Sequence, residues 1–259
     1  PLSHAIRASS SDVVELLLKH GADSCQATKQ GSTPLTLAIT DFKENDDSLR
    51  KIQLLLNNGA NPNQQNRQGR TPLMKAINKQ QQAIVQVCIQ HGANTNMPDS
   101  SGSFPLLLAT QKKCIGIIRL LLANHADPNQ ETNSITPLKL ALEIGDIPIA
   151  QLLVQHHANV NQQAKGVTLL AEFIKRQITP NVEFLLNAGA DPYKESTIQT
   201  SPGITEEKTA LKMGDETKNK EIIALIKDAI REKQKGTAET IMKIREEVDP
   251  DVARTIEEY

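Results

Sequence analysis

The histidines of this sequence are its best-suited residues for metal binding, and their spacing is regular. His20, His91 and His156 occupy corresponding places in a segment that repeats along the chain, and a glycine follows His20 and His91. His125 and His157 occupy the position of that glycine in their own segments. A metal site needs ligands that converge on one point, whereas residues one repeating segment apart form a row. Because histidine tolerates positive φ better than most residues, the pattern indicates turns, and we predict no metal site.

The three cysteines, Cys25, Cys88 and Cys114, offer thiol chemistry, but nothing in the sequence activates them. Their number is odd and no two are close together, which disfavours a disulfide framework or a zinc site and favours a reducing, intracellular and cytoplasmic location. A nucleophilic cysteine needs a nearby base and a lowered pKa. No base can be assigned, and no glycine-rich phosphate loop is present. We therefore predict no catalytic residue, no cofactor and no enzymatic activity.

The composition restricts the class of partner. The 259 residues carry a net charge of -1, and the basic residues form only short pairs, so the concentrated basic face that nucleic-acid binding needs is missing. No apolar run approaches the roughly 20 residues that span a bilayer. Aromatic residues make up only 2% of the chain, so small aliphatic side chains must fill a thin, layered core. We expect a monomer.

Two motifs repeat along the chain in register. The first reads Thr-Pro-Leu-x-x-Ala and occurs at 33–38, 71–76 and 136–141, with weaker copies at 1–5, 104–109, 168–170 and 209–211. The second ends in Gly-Ala-Asp/Asn, with His for Gly in two copies, and occurs at 21–23, 59–61, 92–94, 125–127, 157–159 and 189–191. Successive copies of the second motif are 38, 33, 33, 32 and 32 residues apart. A period of this kind is typical of a repeat protein.

The segment from Gly69 to Met97 shows what one repeat should form. Pro72 suits the first turn of a helix, and Leu73, Ala76 and Ile77 recur at helical spacing. A second apolar helix follows, and Gly92 is placed to end it. The polar residues beyond suit a hairpin loop. One such unit cannot bury its own apolar face, so neighbouring units must stack on it.

The period and the Thr-Pro-Leu start resemble the ankyrin repeat over about residues 1–230. The resemblance implies an all-α fold, an ankyrin-repeat α-solenoid of helix–turn–helix units with hairpin loops, containing about seven repeats and a helical C-terminal cap. The corresponding bounds are about 1–27, 28–65, 66–98, 99–130, 131–162, 163–194 and 195–235, followed by a cap or linker at 236–259.

Three segments depart from the repeat. Extra residues fall at 41–48, an acidic stretch that contains Phe42, and in a Ser/Thr/Pro-rich loop at 195–208. Each is either a tolerated surface insertion or a partner-specific extension. After a last repeat helix at about 221–231, the sequence predicts two more short helices, at 237–247 and 249–258, with Thr237 and Asp249 as their N-caps. These cap the last repeat, lead into a further domain or bind a partner.

The resemblance implies that partners contact the hairpin tips and first helices, which form a concave face. The partner-binding residues implied for this chain are Arg67, Gln68, Arg70, Asn78, Lys79, Ser101, Ser103, Gln111, Lys112, Asn133, Ile135, Lys165, Lys175 and Arg176. Because interface hot spots favour arginine, Arg67, Arg70 and Arg176 are the strongest candidates, and a partner with an acidic surface is expected. For any one of them, ordinary solvated surface is the alternative.

Asparagines recur two residues after the Asp/Asn of the second motif, at Asn63, Asn96, Asn129 and Asn161. Asparagine at such a position bonds the loop backbone and stiffens the turn. The resemblance also implies that a cytosolic asparaginyl hydroxylase modifies this position in the family. Asn161 has the sequence context nearest to that enzyme's preference, so it is the candidate for hydroxylation.

The sequence therefore predicts a protein–protein interaction module without enzymatic activity. One alternative is the targeting part of a larger enzyme whose catalytic domain lies outside these residues, and another is an architectural spacer. The frequent Gln, Asn, Lys and Ile resemble ankyrin-repeat effectors of intracellular bacteria, which would place the protein in a host cytoplasm. Eukaryotic and viral origins are the alternatives.

Overall fold

A computed structural model describes residues 1–28, 31–201 and 204–247. The chain divides after Ala158 into two compact units. Within the described residues, no helix is both long and apolar enough to span a membrane.

The first unit consists of five helix pairs. The first helix of each pair has seven residues: α1 (Leu2–Ala8), α3 (Pro34–Thr40), α5 (Pro72–Asn78), α7 (Pro105–Gln111) and α9 (Pro137–Glu143). The second helices are α2 (Ser11–Lys19), α4 (Asp46–Asn57), α6 (Gln82–Gln90), α8 (Ile115–Ala123) and α10 (Ile147–Gln155). Each first helix packs against the first helix of the next pair, and α2, α4, α6 and α8 form a parallel row behind them.

The repeated motifs begin and end these helices as predicted. The hydroxyl oxygens of Thr33 and Thr71 accept the N–H of Thr36 at 3.1 Å and of Met74 at 3.2 Å, and a proline follows each threonine in the first turn. At the other end, Gly92 has a φ of 82°. His125 has a φ of 63°, which confirms that histidine takes over the turn conformation where glycine is missing.

The core lies between successive first helices and the second helices behind them. Leu73 and Leu106 are completely buried there, beside the equally buried Ala76 and Ala109. Full burial of one such leucine stabilises the fold by about 1.5–3 kcal/mol. The alanines add little to this, but their small side chains let neighbouring helices approach closely. Phe104, also completely buried, takes the threonine position in its repeat and provides no cap for α7.

The insertion at 41–48 lengthens a helix as well as a loop. Helix α4 has 12 residues where α6 has nine. The connection from α3 to α4 spans five residues, 41–45, whereas that from α5 to α6 spans three, 79–81. Phe42 is half-buried in this connection. The first turn of α4 also gains Asp47, whose Oδ1 accepts the N–H of Ser11 at 2.7 Å, at the start of α2.

The second unit contains two helix pairs and two short hairpins. Its elements are β1 (Gln163–Ala164), β2 (Val167–Thr168), α11 (Leu169–Lys175), α12 (Thr179–Asn187), β3 (Ser196–Ser201), β4 (Ile204–Lys208), α13 (Ala210–Thr217) and α14 (Lys220–Glu247). Strands β1 and β2 pair antiparallel, as do β3 and β4. With the five pairs of the first unit, the described residues contain seven helix pairs.

The predicted loop at 195–208 is wrong, because the segment forms the antiparallel strands β3 and β4, with Ser196 opposite Lys208. The N–H of Thr197 donates to the carbonyl of Gly166 at 2.9 Å, and the Ser196 hydroxyl accepts the N–H of Thr168 at 3.0 Å. These two bonds attach the hairpin to β2 and to the turn before it.

The predicted break near Arg231 is also wrong, because α14 continues without interruption from Lys220 to Glu247. The residues at 232–235, just before Gly236, are Glu, Lys, Gln and Lys, and such strong helix formers outweigh the cost of about 1 kcal/mol for Gly236. The hydroxyl of Thr237, predicted as a helix cap, donates instead to the carbonyl of Lys233 at 2.9 Å within the helix. The second predicted helix, at 249–258, lies outside the described residues.

Gly69 is the glycine whose replacement should cost most. It has a φ of 72°, and a Cβ at this position would lie 2.5 Å from the backbone nitrogen of Ser100. We expect Gly69→Ala to lower the free energy of unfolding by about 2–4 kcal/mol. Gly59→Ala is the matched control: its φ is 84°, but a Cβ at this position would meet no atom of the described residues within 4 Å apart from its chain neighbours, so a loss of about 1–2 kcal/mol is expected. Urea unfolding measures both, and equal losses would contradict the close approach at Gly69.

Asp47 should make stability depend on pH. Hydrogen bonds from Lys51 and from the backbone of Ser11 lower the pKa of Asp47 from 3.8 to about 2. Since the folded pKa lies below the unfolded one, the ionised carboxylate stabilises the fold above pH 3.8, and this contribution disappears as the pH falls through about 2. Urea unfolding should therefore show Asp47→Asn less stable than the wild type at about pH 5, with the difference shrinking steadily as the pH falls to about 2. A difference that stays constant over this range would contradict the assignment.

Candidate protein-binding surface

A polar concavity of about 380 Å³ lies in the first unit, between three successive helix pairs. Helices α3, α5 and α7 form its floor and two hairpin tips form its rim. The floor residues are Thr36, Thr71, Met74, Lys75, Asn78, Leu108 and Gln111, and the rim residues are Asn66, Gln68, Arg70, Asp99, Ser101 and Ser103. We call this feature the concavity.

The concavity brings together six of the residues that sequence analysis selected for partner binding: Gln68, Arg70, Asn78, Ser101, Ser103 and Gln111. Five others belong to the first unit but do not line it: Arg67, Lys79, Lys112, Asn133 and Ile135. The remaining three, Lys165, Lys175 and Arg176, belong to the second unit.

Asp99 fixes the shape of one of the two hairpin tips that form the rim. Its side chain is 4% exposed, and its Oδ1 accepts the N–H of Ser101 at 2.9 Å, the hydroxyl of Ser101 at 2.6 Å and the N–H of Ser103 at 3.0 Å. Burial raises the pKa of Asp99, but these hydrogen bonds and that from Arg70 outweigh it, so the pKa is lowered. The Ser101 hydroxyl is thus engaged within the protein.

Asn66 fixes the shape of the other hairpin tip of the rim. Its Oδ1 accepts the N–H of Gln68 at 2.9 Å and that of Arg70 at 3.0 Å. The two tips are joined by the N–H of Ser100, which donates to the carbonyl of Gln68 at 3.0 Å. The rim is therefore built from hydrogen-bonded turns that fix where its side chains start.

Of the three arginines that are the strongest sequence candidates, two are engaged by neighbouring side chains and the third lies outside the concavity. Arg70 Nε lies 3.4 Å from Asp99 Oδ2, so its charge is already balanced. In the second unit, the guanidinium of Arg176 lies 5.4 Å from the Phe173 ring centre and 3.7 Å from a Glu172 carboxylate oxygen. Arg67 is exposed beside Gly31, outside the concavity.

Lys75 is one of the concavity residues that sequence analysis did not select. It is half-buried on α5, and its side chain makes no hydrogen bond or ion pair with any other described residue. Burial and the nearby charge of Lys79 lower the pKa of Lys75, against a smaller opposite effect of Asp41. Lys75 stands at an x position of the Thr-Pro-Leu-x-x-Ala motif, in the middle of the first helix, and only the helix ends were considered from the sequence.

Three amide side chains of the concavity share this lack of an internal partner. Gln68 on the rim and Asn78 and Gln111 on the floor are exposed, and their side-chain amides bond to no other residue in the described part of the chain. With Lys75, they form a group of four polar side chains that face one space.

The recurring asparagines join neighbouring repeats. Asn96 Nδ2 donates to the carbonyl of His125 at 2.9 Å, and its Oδ1 accepts the N–H of Asp127 at 2.7 Å. Asn63 makes the same two bonds, to Gly92 and Asn94, at 2.9 and 2.7 Å. These bonds reach the backbone of the following repeat and not that of the asparagine's own turn, so they join neighbouring repeats instead of stiffening one turn as predicted.

Asn161 occupies the same position in the second unit. It is half-buried, and its Oδ1 accepts the N–H of Asp191 at 2.7 Å. Its hydroxylation stays a prediction. Intact-mass spectrometry after incubation with the hydroxylase checks it, and a mass without an added oxygen would contradict it.

The thiols and imidazoles take structural roles. Burial raises the pKa of Cys88 to about 12, which leaves the thiol protonated and unreactive. The ring nitrogens of His91 bond to the carbonyl of Val87 at 2.9 Å and to Asn57 Oδ1 at 3.0 Å. Across the described residues, no group of three or more His, Cys, Asp or Glu side chains is arranged to hold a metal ion.

Comparison with known proteins agrees with this architecture. A family model described as ankyrin repeats in three copies matches residues 42–132, and a model of the single ankyrin repeat matches residues 1–29 and 133–165. This chain belongs to the ankyrin repeat family. The structure is similar to the ankyrin repeat domain of Bcl-3, described as a unique member of the IkappaB protein family. That match has a TM-score of 0.73 at 23% sequence identity and covers 88% of this chain and 97% of the other.

No curated protein matches the chain in sequence. The ankyrin models also stop at residue 165, although the helix pairs continue. Helix α11 still begins at a capping threonine, Thr168, whose hydroxyl oxygen accepts the N–H of Ala171 at 3.1 Å, and Gly189 after α12 has a φ of 86°. The ankyrin pattern therefore persists in the second unit where the sequence motif weakens.

The ankyrin asparagines should contribute measurably to stability. Asn96→Ala removes both inter-repeat bonds and leaves a backbone N–H and a carbonyl without partners, so we expect the free energy of unfolding to fall by about 1–3 kcal/mol. Asn124→Ala is the matched control, because the Asn124 amide bonds only within its own helix pair, to the carbonyl of Leu120 at 2.8 Å. It should cost about 0.5 kcal/mol or less. Equal losses in urea unfolding would argue against the inter-repeat role.

Proposed function

We propose that the concavity binds a segment of a partner protein and that this is the function of the first unit. The observation that supports the proposal is that Gln68, Lys75, Asn78 and Gln111 converge on one space and that their side chains have no hydrogen-bond or ion-pair partner among the described residues. Elsewhere in the repeats, polar side chains such as Asn63 and Asn96 are engaged in holding the structure.

A rigid frame supports a binding role. The floor consists of helices with buried core side chains, and the rim consists of turns held by Asp99 and Asn66. The backbone of such a frame loses little freedom when a partner binds, which preserves affinity. The proposed role requires no catalytic group and no cofactor.

The size of the concavity favours a short segment of the partner. A volume of about 380 Å³ lies in the range of about 300–1,000 Å³ typical of small ligand sites, so it accommodates a few residues at a time. A loop or an extended peptide of a partner fits this description better than a flat protein surface.

Site-specific photo-crosslinking tests the proposal. A photoreactive phenylalanine analogue is placed at Asn78 or Gln111, and in a control protein at Arg119, which is exposed on α8 and does not line the concavity. After illumination in a cell lysate, we expect a defined adduct from positions 78 and 111 and none from 119. Adding an excess of unlabelled wild type should remove the adduct.

A second variant supplies the control for specificity. Asn78→Arg/Gln111→Arg fills the concavity from two exposed positions, so the protein should keep its unfolding midpoint but should not compete for the adduct. Equal adducts from position 119, equal competition by the double variant, or no adduct at 78 and 111 would contradict the proposal.

A further inference from the structure

We infer that Lys75 binds a carboxylate of the partner segment, from an aspartate or glutamate side chain, while Gln68, Asn78 and Gln111 bind its main chain. The inference rests on the proposed function and names the kind of segment that the concavity accepts. It concerns a residue that the ankyrin motif leaves variable.

The balance of charge within the concavity supports this assignment. The lining contains two cations, Arg70 and Lys75, and one anion, Asp99. Asp99 is already shared between Arg70 and the two serines of its own turn. One positive charge, that of Lys75, is therefore left without compensation, and a carboxylate is the group that would compensate it.

The surroundings of Lys75 provide no substitute for that carboxylate. Lys79, one turn further along, adds positive charge, and its ammonium donates to the carbonyl of Thr40 at 2.5 Å. Asp41, the carboxylate that acts on Lys75 at longer range, is paired with Arg7 at 3.2 Å.

Because Lys75 is half-buried, the lack of an opposite charge beside its ammonium group costs free energy. A half-buried ammonium without a partner has lost part of its hydration, which is why the pKa of Lys75 is lowered. An incoming carboxylate would restore a charge-assisted hydrogen bond, which is about twice as strong as a neutral one. The same interaction on a fully exposed lysine would contribute little.

The amides complete the match to a peptide. Each primary amide carries both donors and acceptors, as each peptide group does. Asn78 and Gln111 lie on neighbouring helices and Gln68 lies on the rim, so an extended main chain could bond to the floor and the rim together. Leu108, which is half-buried, provides apolar surface beside them. The occupant that fits is an extended peptide with one acidic residue.

Selection from a displayed library of random peptides tests the inference on the full chain. We expect peptides enriched by the wild type to carry Asp or Glu at one fixed position. A synthetic peptide from that selection is then measured by calorimetry against the wild type and Lys75→Met, with Glu and with Gln at the acidic position. Each single change should weaken binding roughly tenfold, and the two together should weaken it little further.

Two variants keep the result interpretable. Lys113→Met removes an exposed lysine of the same unit that does not line the concavity, and it should change affinity less than about twofold. Lys75→Glu reverses the local charge, and selection against it should enrich Lys or Arg at the position that was acidic. Unfolding midpoints confirm that each variant is folded.

The outcomes separate the inference from the proposed function. If Asn78→Arg/Gln111→Arg abolishes binding but the effects of Lys75→Met and the Glu-to-Gln change are independent, the carboxylate site is overturned while the concavity remains the binding site. If no peptide is enriched, or if the enriched peptides bind the double arginine variant unchanged, both are overturned. Acidic enrichment that Lys75→Glu inverts supports both.

Discussion

The structure depends on one constraint: a single pair of short helices cannot bury its own apolar face. Stability therefore comes from stacking each pair on the next, and close stacking needs small residues where helices meet, such as Ala76 and Ala109. It also needs a fixed register between neighbours. Asn63 and Asn96 supply that register, because each bonds the backbone of the following repeat through both its amide nitrogen and its oxygen.

The fold constrains some positions of each repeat and leaves others variable, and this difference determines where a binding surface can form. The constrained positions form the helix ends, the core and the inter-repeat bonds, and they hold threonine, proline, leucine, alanine and asparagine. The solvent-facing positions of the first helices are not constrained in this way. Lys75, Asn78 and Gln111 stand at such positions and face the same space. The concavity thus combines a rigid frame with side chains that the fold does not use, and it is there that recognition can be specific.

The sequence predicted the helices of the first unit well, because their determinants are local: a capping threonine, a proline and a terminal glycine act within one turn. It failed where an outcome depends on distant or competing effects. The strands at 196–208 depend on bonds to Gly166 and Thr168, although β-branched Thr and Ile on both sides of Pro202 and Gly203 are typical of a hairpin. The continuity of α14 is a sum of propensities that a local cap motif at Thr237 obscured. Arg70 is a candidate by residue type, but its pairing with Asp99 is a tertiary contact that the sequence does not reveal. Likewise, only the structure shows that the Lys75 ammonium has no partner among the described residues.

The most direct measurement is a methyl NMR titration, because one of the four methionines lies in the concavity and another lies outside it in the same unit. Met74 lines the concavity, whereas Met97 belongs to the same unit outside it. With the protein labelled at methionine methyl groups, addition of a selected acidic peptide should shift the Met74 resonance and leave that of Met97 unchanged. Binding that shifts Met97 and leaves Met74 unchanged would show that the partner is held elsewhere and would contradict the account.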